Sequence, residues 1–522
     1  MSVPVSPVND AGGDAGPTHD PVEAASSLSR SRLWRLQRAY FQAAGVDAWR
    51  NGTVPQYVTS NPVLAHAYAA VVTGWLRDGA RTRHDPAEPF VVLEIGSGSG
   101  QFGFNLLRAL AALRALSPHP LPKLLYVMSD ITRQNLEFWS RHPSFAPFIA
   151  DGTLDFALFD VERDCSLVLE RSGRRIAAGD LRNPLLVIAN YVFDSIPQDA
   201  FAVLDGELFE RRMALFSSAP VDPNDPDALE HLTFALSDHP AANPPYPEPE
   251  FCALLAECCR SCQEGSLLFP IAALRAFKRL SALSGGRTSL LTADRGGLHQ
   301  PPGLTDGSEL LLHGSISLPV NYHAIALAVQ RNGGTVFAPD HGHHDISVLA
   351  CVPGPAAEFG ETRLAFAQSI ANGGPDEFCT LRRGIAAHYG DLGLSHLLAL
   401  LRISRYDPKI LRDCLPALGS LIAQADQDHR HALRETVRRC CHNYFRIGVD
   451  RGWAIPVSSL LAALGAPAEA LEVLEQERSA GEPDARLHWS IGMCQAALGR
   501  SVEAAEHFTM ALRLDPGLPQ FA

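Results

Sequence analysis

No apolar run in the 522-residue chain approaches the roughly 18 to 20 residues needed to cross a bilayer, so no membrane-spanning role is expected. Positive charge is also in short supply: 44 lysines and arginines face 57 acids, for a formal net charge of −13. An acidic surface repels a phosphate backbone, so nucleic acid is not the expected partner, and a basic protein or peptide would suit it better. A regular cysteine framework is missing too. Eleven cysteines, an odd number without even spacing, fit reduced thiols in a cytoplasmic protein. Their densest group is Cys252, Cys258, Cys259 and Cys262. It lacks the spacing of a zinc knuckle and reads as an amphipathic helix, so no metal is expected there. The first 28 residues have neither the basic start nor the apolar stretch of a secretory signal. Rich in Ser, Pro, Gly, Asp and Ala, they read as a disordered tail.

What is present is a chain long enough for two or three domains, with 46% hydrophobic residues to build their cores. Helical periodicity covers residues 29–44 and 61–78, and then strands and helices alternate. Residues 90–95, 123–128, 154–159 and 185–189 are short, nearly continuous apolar runs, as expected of strands buried on both faces. Helical segments at 100–116 and 132–140 lie between them. The rhythm implies an α/β fold with a Rossmann-like parallel sheet. Seven prolines between residues 222 and 250 mark a loop within a cap or insertion spanning about 205–285. The sheet resumes at 289–292, and after a helix at 320–330 the segments 335–337 and 346–352 predict a terminal antiparallel hairpin. The core domain is therefore set at residues 29–355, with an all-α domain at 356–522. In the latter, Ala463-Leu464-Gly465 recurs as Ala497-Leu498-Gly499, and Glu469-Ala470 recurs as Glu503-Ala504. Each offset is 34 residues, the tetratricopeptide (TPR) period. A TPR-like module that recruits a protein partner and a plain helical stack both remain open.

The chemistry is concentrated at Val91-Val92-Leu93-Glu94-Ile95-Gly96-Ser97-Gly98-Ser99-Gly100. A buried strand runs into a glycine-rich turn that opens a helix, whose amides and partial positive charge favour a ligand. Dinucleotide enzymes use G-x-G-x-x-G; here the spacing is G-x-G-x-G, preceded by an acid. Glu94 ahead of the turn suits a ligand with an amino group and a sulfonium better than a diphosphate, which favours S-adenosylmethionine. Gly96, Ser97, Gly98 and Gly100 are assigned to that cofactor with Glu94. Asp130, ending the second strand, can accept from both ribose hydroxyls, as in NAD enzymes also. Asp160 and Val161, after the third strand, can take an adenine amino group and flank the ring; a loop or capping acid is the alternative for Asp160. The fourth strand ends in Asn190-Tyr191-Val192-Phe193-Asp194-Ser195-Ile196-Pro197. Ligands in such folds sit outside the carboxyl ends of the strands, which places Asn190 and Asp194 at the methyl acceptor. Asp194 could hold an amine or guanidinium and take its proton, or could merely cap the next helix. Asp294, His323 and the cluster His341, His343, His344 and Asp345 are weaker candidates for catalysis or metal binding.

At these residues the chain resembles the MidA-like family of class I methyltransferases, relatives of mitochondrial complex I assembly factors, over about residues 38–340. Tyr57-Val58-Thr59-Ser60-Asn61-Pro62 resembles the family's entry segment, and Glu94 to Gly100 its glycine motif. Asn190 to Pro197, with Phe201 and Glu210, resembles its strand-four motif. Ala293-Asp294-Arg295-Gly296 and Ser315 to Tyr322 resemble two later ones. The resemblance implies S-adenosylmethionine as cofactor and protein arginine as acceptor. The chain departs from the family at Tyr191, Arg295 and Ser315, where a glutamate, a tyrosine and an aspartate are usual. These changes touch the acceptor side and leave the cofactor motif intact. A binding-only adaptor and a methyltransferase for a small molecule are the two other readings.

Overall fold

The computed structural model describes residues 3–4, 20–50, 52–82, 84–222, 226–262, 265–299, 302–312, 315–342, 346–479 and 481–517. The chain divides into two compact units, Met1–Asp376 and Glu377–Ala522. No helix among the described residues is long and apolar enough to cross a membrane.

In the first unit, β1 (Asp20–Ser27) is followed by the helices α1 (Leu33–Ala44), α2 (Asp47–Arg50) and α3 (Pro62–Arg81). The chain then alternates: β2 (Phe90–Ile95), α4 (Gln101–Leu116), β3 (Leu124–Asp130), α5 (Arg133–Arg141), β4 (Leu154–Leu158) and β5 (Leu185–Asn190). An excursion supplies β6 (Asp199–Leu204), β7 (Glu207–Ser217), β8 (Leu232–Pro240), α6 (Pro249–Cys262), β9 (Gly265–Phe269) and α7 (Ile271–Leu283). The unit closes with β10 (Thr288–Asp294), α8 (Tyr322–Arg331), β11 (Thr335–Phe337), β12 (Ser347–Val352) and α9 (Gly360–Phe366).

Seven strands form the central sheet in the order β11-β12-β10-β5-β2-β3-β4. Its β10-β5-β2-β3-β4 part is parallel, and β12 runs antiparallel to both β10 and β11. The two-residue period of a strand divides β2 between two layers. Val91, Leu93 and Ile95 face a core with Leu254 and Cys258 of α6, Leu280 of α7 and Val329 of α8. Phe90 and Glu94 face the other way: the Phe90 ring meets Trp75 at 5.5 Å, and Glu94 lies beside Gly103 of α4. Helix α3 starts where the sequence permits it to. Asn61 Oδ1 accepts the Leu64 amide at 2.9 Å, and Pro62 occupies a first-turn position with no amide to satisfy.

Three expectations change. The segment read as a proline-rich loop contains β8, paired in register with β7 from Phe209 opposite Pro240 to Ser217 opposite Leu232. Together β8-β7-β6-β9 make a second, antiparallel sheet. Residues 20–27, expected in a disordered tail, form β1 on β7. Glu23 anchors it, accepting from the Ser31 hydroxyl at 2.8 Å and the Arg32 amide at 2.9 Å. Pairing with a distant strand, which composition does not report, decides both cases. Helix α9, placed by the sequence in the helical domain, packs on α3: Asp78 accepts the Glu361 and Thr362 amides at 3.1 and 2.8 Å.

The second unit is helical throughout its described residues. Four of its helices are α10 (Arg451–Ala463), α11 (Pro467–Arg478), α12 (Ala485–Ala497) and α13 (Ser501–Leu514). The starts of α12 and α13 follow those of α10 and α11 by 34 residues. Gly465 and Gly499 end the first helix of each pair with φ of 78° and 76°, a conformation that costs glycine little. Leu411, Val437, Trp453, Leu474 and Ile491 share one core. Gly492 lets α12 and α13 approach, since a Cβ there would lie 2.6 Å from the Phe508 ring. Gly492→Val should therefore cost the second unit about 2 kcal/mol, measured as a shift of its urea unfolding transition.

Candidate active site

The glycine turn is held by the end of the neighbouring strand. Gly96, Gly98 and Gly100 all have positive φ, at 65°, 53° and 82°. The Gly98 amide donates to Asp130 Oδ2 at 3.0 Å, and the Thr132 amide to Asp130 Oδ1 at 3.1 Å. The Trp139 indole donates to the Gly98 carbonyl at 3.1 Å. Burial pushes the Asp130 carboxyl above its ordinary range.

A cavity of about 130 Å³ opens at the carboxyl ends of β2, β3 and β4. Gly96, Asp130, Asp160 and Val161 line it on the sheet side, so four of the residues assigned to a cofactor converge there. Tyr191 and Val192 reach it from the end of β5. Tyr191 has φ of 52°, uncommon for a bulky residue and a mark of local strain. The opposite wall is made by α1 and α2, through Trp34, Arg38, Phe41 and Trp49. Arg38 donates to Asp160 Oδ2 at 2.7 Å and to Glu162 Oε1 at 2.6 Å. Burial works against the Arg38 charge, and the hydrogen bonds and charges of Asp160 and Glu162 more than offset it.

Glu94 is not part of this wall. It was expected to face the ligand, but strand alternation turns it to the α3–α4 side with Phe90. Its Oε2 accepts from the Tyr126 hydroxyl at 2.7 Å and sits 2.9 Å from the Cβ position of Gly103. Burial raises its carboxyl to about 7, against the opposing hydrogen bonds from Tyr126 and Ser97.

Asn190 and Asp194 lie at the end of β5, next to β10. The Tyr68 hydroxyl donates to Asn190 Oδ1 at 2.9 Å, and Asn190 Nδ2 is buried without a hydrogen-bond partner. Asp194 Oδ1 accepts from the Ser195 hydroxyl at 2.8 Å. Asp294 is fully buried, with the Tyr322 hydroxyl 3.3 Å from its Oδ2. Burial, and then the adjacent Asp194, hold the Asp294 carboxyl well above the ordinary range, so this acid pair carries a proton at neutral pH. Arg295 closes over the pair, its Nη2 donating to the Glu309 carbonyl at 2.7 Å. Arg38, Trp49, Tyr68 and Tyr322 were not singled out as site residues in the sequence. Tyr322 stood inside a quoted motif; the other three carry no local signal.

Among the described residues, no group of three or more His, Cys, Asp and Glu could hold a metal. His341 is exposed, while His343, His344 and Asp345 lie outside the described residues. Cys252 and Cys258 sit on α6, where burial pushes the Cys258 thiol up to about 12; the Cys262 side chain lies outside the described residues. A larger cavity, about 610 Å³, lies at the opposite edge of the sheet beside Phe277, Thr288, Val329 and Val352. No carboxyl end of a parallel strand reaches it.

No family model and no curated protein matches the chain. Among solved structures it is similar to a COG1565 superfamily member from Burkholderia thailandensis bound to S-adenosyl-homocysteine. Identity is 17% over 68% of this chain and 86% of that one, with a TM-score of 0.39. A second COG1565 superfamily protein of that organism, uncharacterized, matches at 18% identity over 60% and 74% of the two chains, with a TM-score of 0.36. The magnesium protoporphyrin IX methyltransferase of Synechocystis PCC 6803 with bound SAM matches at 12% identity over 63% and 99%, with a TM-score of 0.28. At such values the functional reading has to come from the geometry of the site.

The buried Glu94 gives a pH-dependent prediction. Its native carboxyl titrates near 7, against 4.5 ordinarily, so the folded chain keeps a proton that the unfolded chain has released between those values. Stability from this group is full below 4.5, is lost as pH rises through 7, and the loss is about 3 kcal/mol. Glu94→Gln, still able to accept from Tyr126, should be more stable than wild type in urea at pH 8 and equal to it at pH 4.

Proposed function

We propose that the chain is an S-adenosylmethionine-dependent methyltransferase that modifies a protein side chain, with arginine the acceptor. The observation that carries this reading is the convergence of the glycine turn, Asp130 and Asp160-Val161 on one cavity at the carboxyl ends of parallel strands. The cofactor supplies an activated methyl group when bound. Asp130 would then meet the ribose, and Val161 would flank the base. Methyl transfer needs the acceptor in line with the breaking bond and, for nitrogen, its proton removed. Asp194 would take that proton, and Asn190 Nδ2 would hold the acceptor in place. The charged pair Asp194–Asp294 favours a cationic acceptor over a neutral one. We read the 34-residue helix pairs of the second unit as a TPR-like module that recruits the protein substrate, and we place the protein in the cytoplasm.

A binding-only adaptor is the second reading. Arg38 filling Asp160, together with Arg295 lying over the acid pair, favours it.

Calorimetry with S-adenosylmethionine tests the first step: micromolar binding is expected, weakened about tenfold or more in Asp130→Asn. Absence of heat with the wild-type chain and with variants of its cover would defeat the methyltransferase reading. The second step is to incubate lysate of a deletion strain with labelled cofactor and the purified chain. Label should be retained on protein and fall about 10² to 10⁴-fold with Asp194→Asn. Label in the small-molecule filtrate would assign a metabolite acceptor instead. Full rescue of the deletion strain by Asp194→Asn would establish the adaptor.

A further inference from the structure

The outer wall of the cavity comes from a segment that precedes the sheet. The Phe41 and Trp49 rings stack with centroids 5.8 Å apart and planes 21° from parallel. Trp49 lies over the glycine turn, where a Cβ on Gly98 would be 2.8 Å from the indole. Gln37 ties α1 to the far side of the site: its Nε2 donates to the Ser195 carbonyl at 3.0 Å, and its Oε1 accepts the Ile316 amide at 3.2 Å. Arg38 ties it to the near side through Asp160 and Glu162, with all three side chains mostly buried.

This arrangement leaves Asp160 no acceptor to spare. Oδ2 receives Arg38, and Oδ1 receives the Glu162 amide at 3.0 Å. It also leaves little room. A cavity of about 130 Å³ compares with the ~150 Å³ engineered void that takes a benzene ring. It accommodates one small ring and not a nucleoside joined to an amino acid.

We propose that α1–α2 is a cover latched shut by Arg38 on Asp160 and Glu162, and that an adenine nucleoside enters only when the latch opens, its base then replacing Arg38 on Asp160 against the Phe41–Trp49 stack. This rests on the methyltransferase reading and adds the residues that admit the cofactor. A guanidinium bridging two carboxylates is a stronger partner for Asp160 than a neutral amino group. The closed form therefore competes with the ligand, and apparent affinity falls by the fraction of molecules that are open.

The test uses the full chain, with S-adenosylmethionine as probe, calorimetry for affinity and stopped-flow tryptophan fluorescence for rates. Arg38→Ala should bind about tenfold more tightly than wild type, through faster association. Arg38→Lys, whose point charge cannot bridge both acids as a fork does, should fall between them. Trp49→Ala should bind more weakly, having lost the stacking wall. Circular dichroism melts establish that each variant is folded. Wild type failing to bind while Arg38→Ala binds would also support the latch. Binding by wild type that is unchanged or weaker in Arg38→Ala overturns the latch and leaves the methyltransferase reading standing. Binding by none of them overturns both.

Discussion

The site depends on the bond between the Gly98 amide and the Asp130 carboxylate, which fixes the glycine turn to the end of the next strand. The Thr132 amide on the other Asp130 oxygen and the Trp139 indole on the Gly98 carbonyl complete the tie. Three successive positive-φ glycines would leave a turn with many conformations if nothing held it. A buried acceptor with two amide donors selects one, because an unpaired buried carboxylate would be costly. The cavity at the carboxyl ends of β2 and β3 inherits its shape from that choice.

Charge is distributed over the two faces of the sheet according to strand alternation. Glu94 is handed to the helical layer, where it acts on stability and on the packing of α4 against β2. Asp130 and Asp160 stay at the edge, where a ligand can reach. Asp194 and Asp294 sit at the ends of adjacent parallel strands and are forced close by the register that pairs Ala293 with Asn190. Two carboxyls so placed cannot both ionise freely, so the pair shares one proton and presents less negative charge than two aspartates in sequence imply.

The antiparallel sheet and the helices before the central sheet turn a common parallel architecture into a covered site. The start of the chain, through β1, pairs with β7, and α1–α2 then lies across the cavity. One stretch of chain thus joins the second sheet to the cofactor end of the first. The helical unit beyond Asp376 has its own core and its own repeat spacing, and nothing in the chemistry of the cavity requires it.

Much of the central sheet was legible from the residues because its strands are short apolar runs flanked by breakers: Phe90–Ile95 and Leu185–Asn190 lie where the runs lie. The glycine turn, the position of Asp130 and the 34-residue spacing of the helix pairs were legible for the same reason, since local pattern and local structure coincide. The second sheet was not. Its strands β1 and β8 are polar or proline-flanked, and they exist because β7 offers them hydrogen bonds from far along the chain. The direction of Glu94 was decided by the pleat, once the sheet had chosen which face the Phe90 side takes. Arg38 meets Asp160 across 122 residues of sequence, and no periodicity records that meeting. The sequence alone determined which strands could be buried and where a ligand turn would form. Only the tertiary structure decided which carboxylates remain for a ligand, because each acid's partner comes from a distant segment.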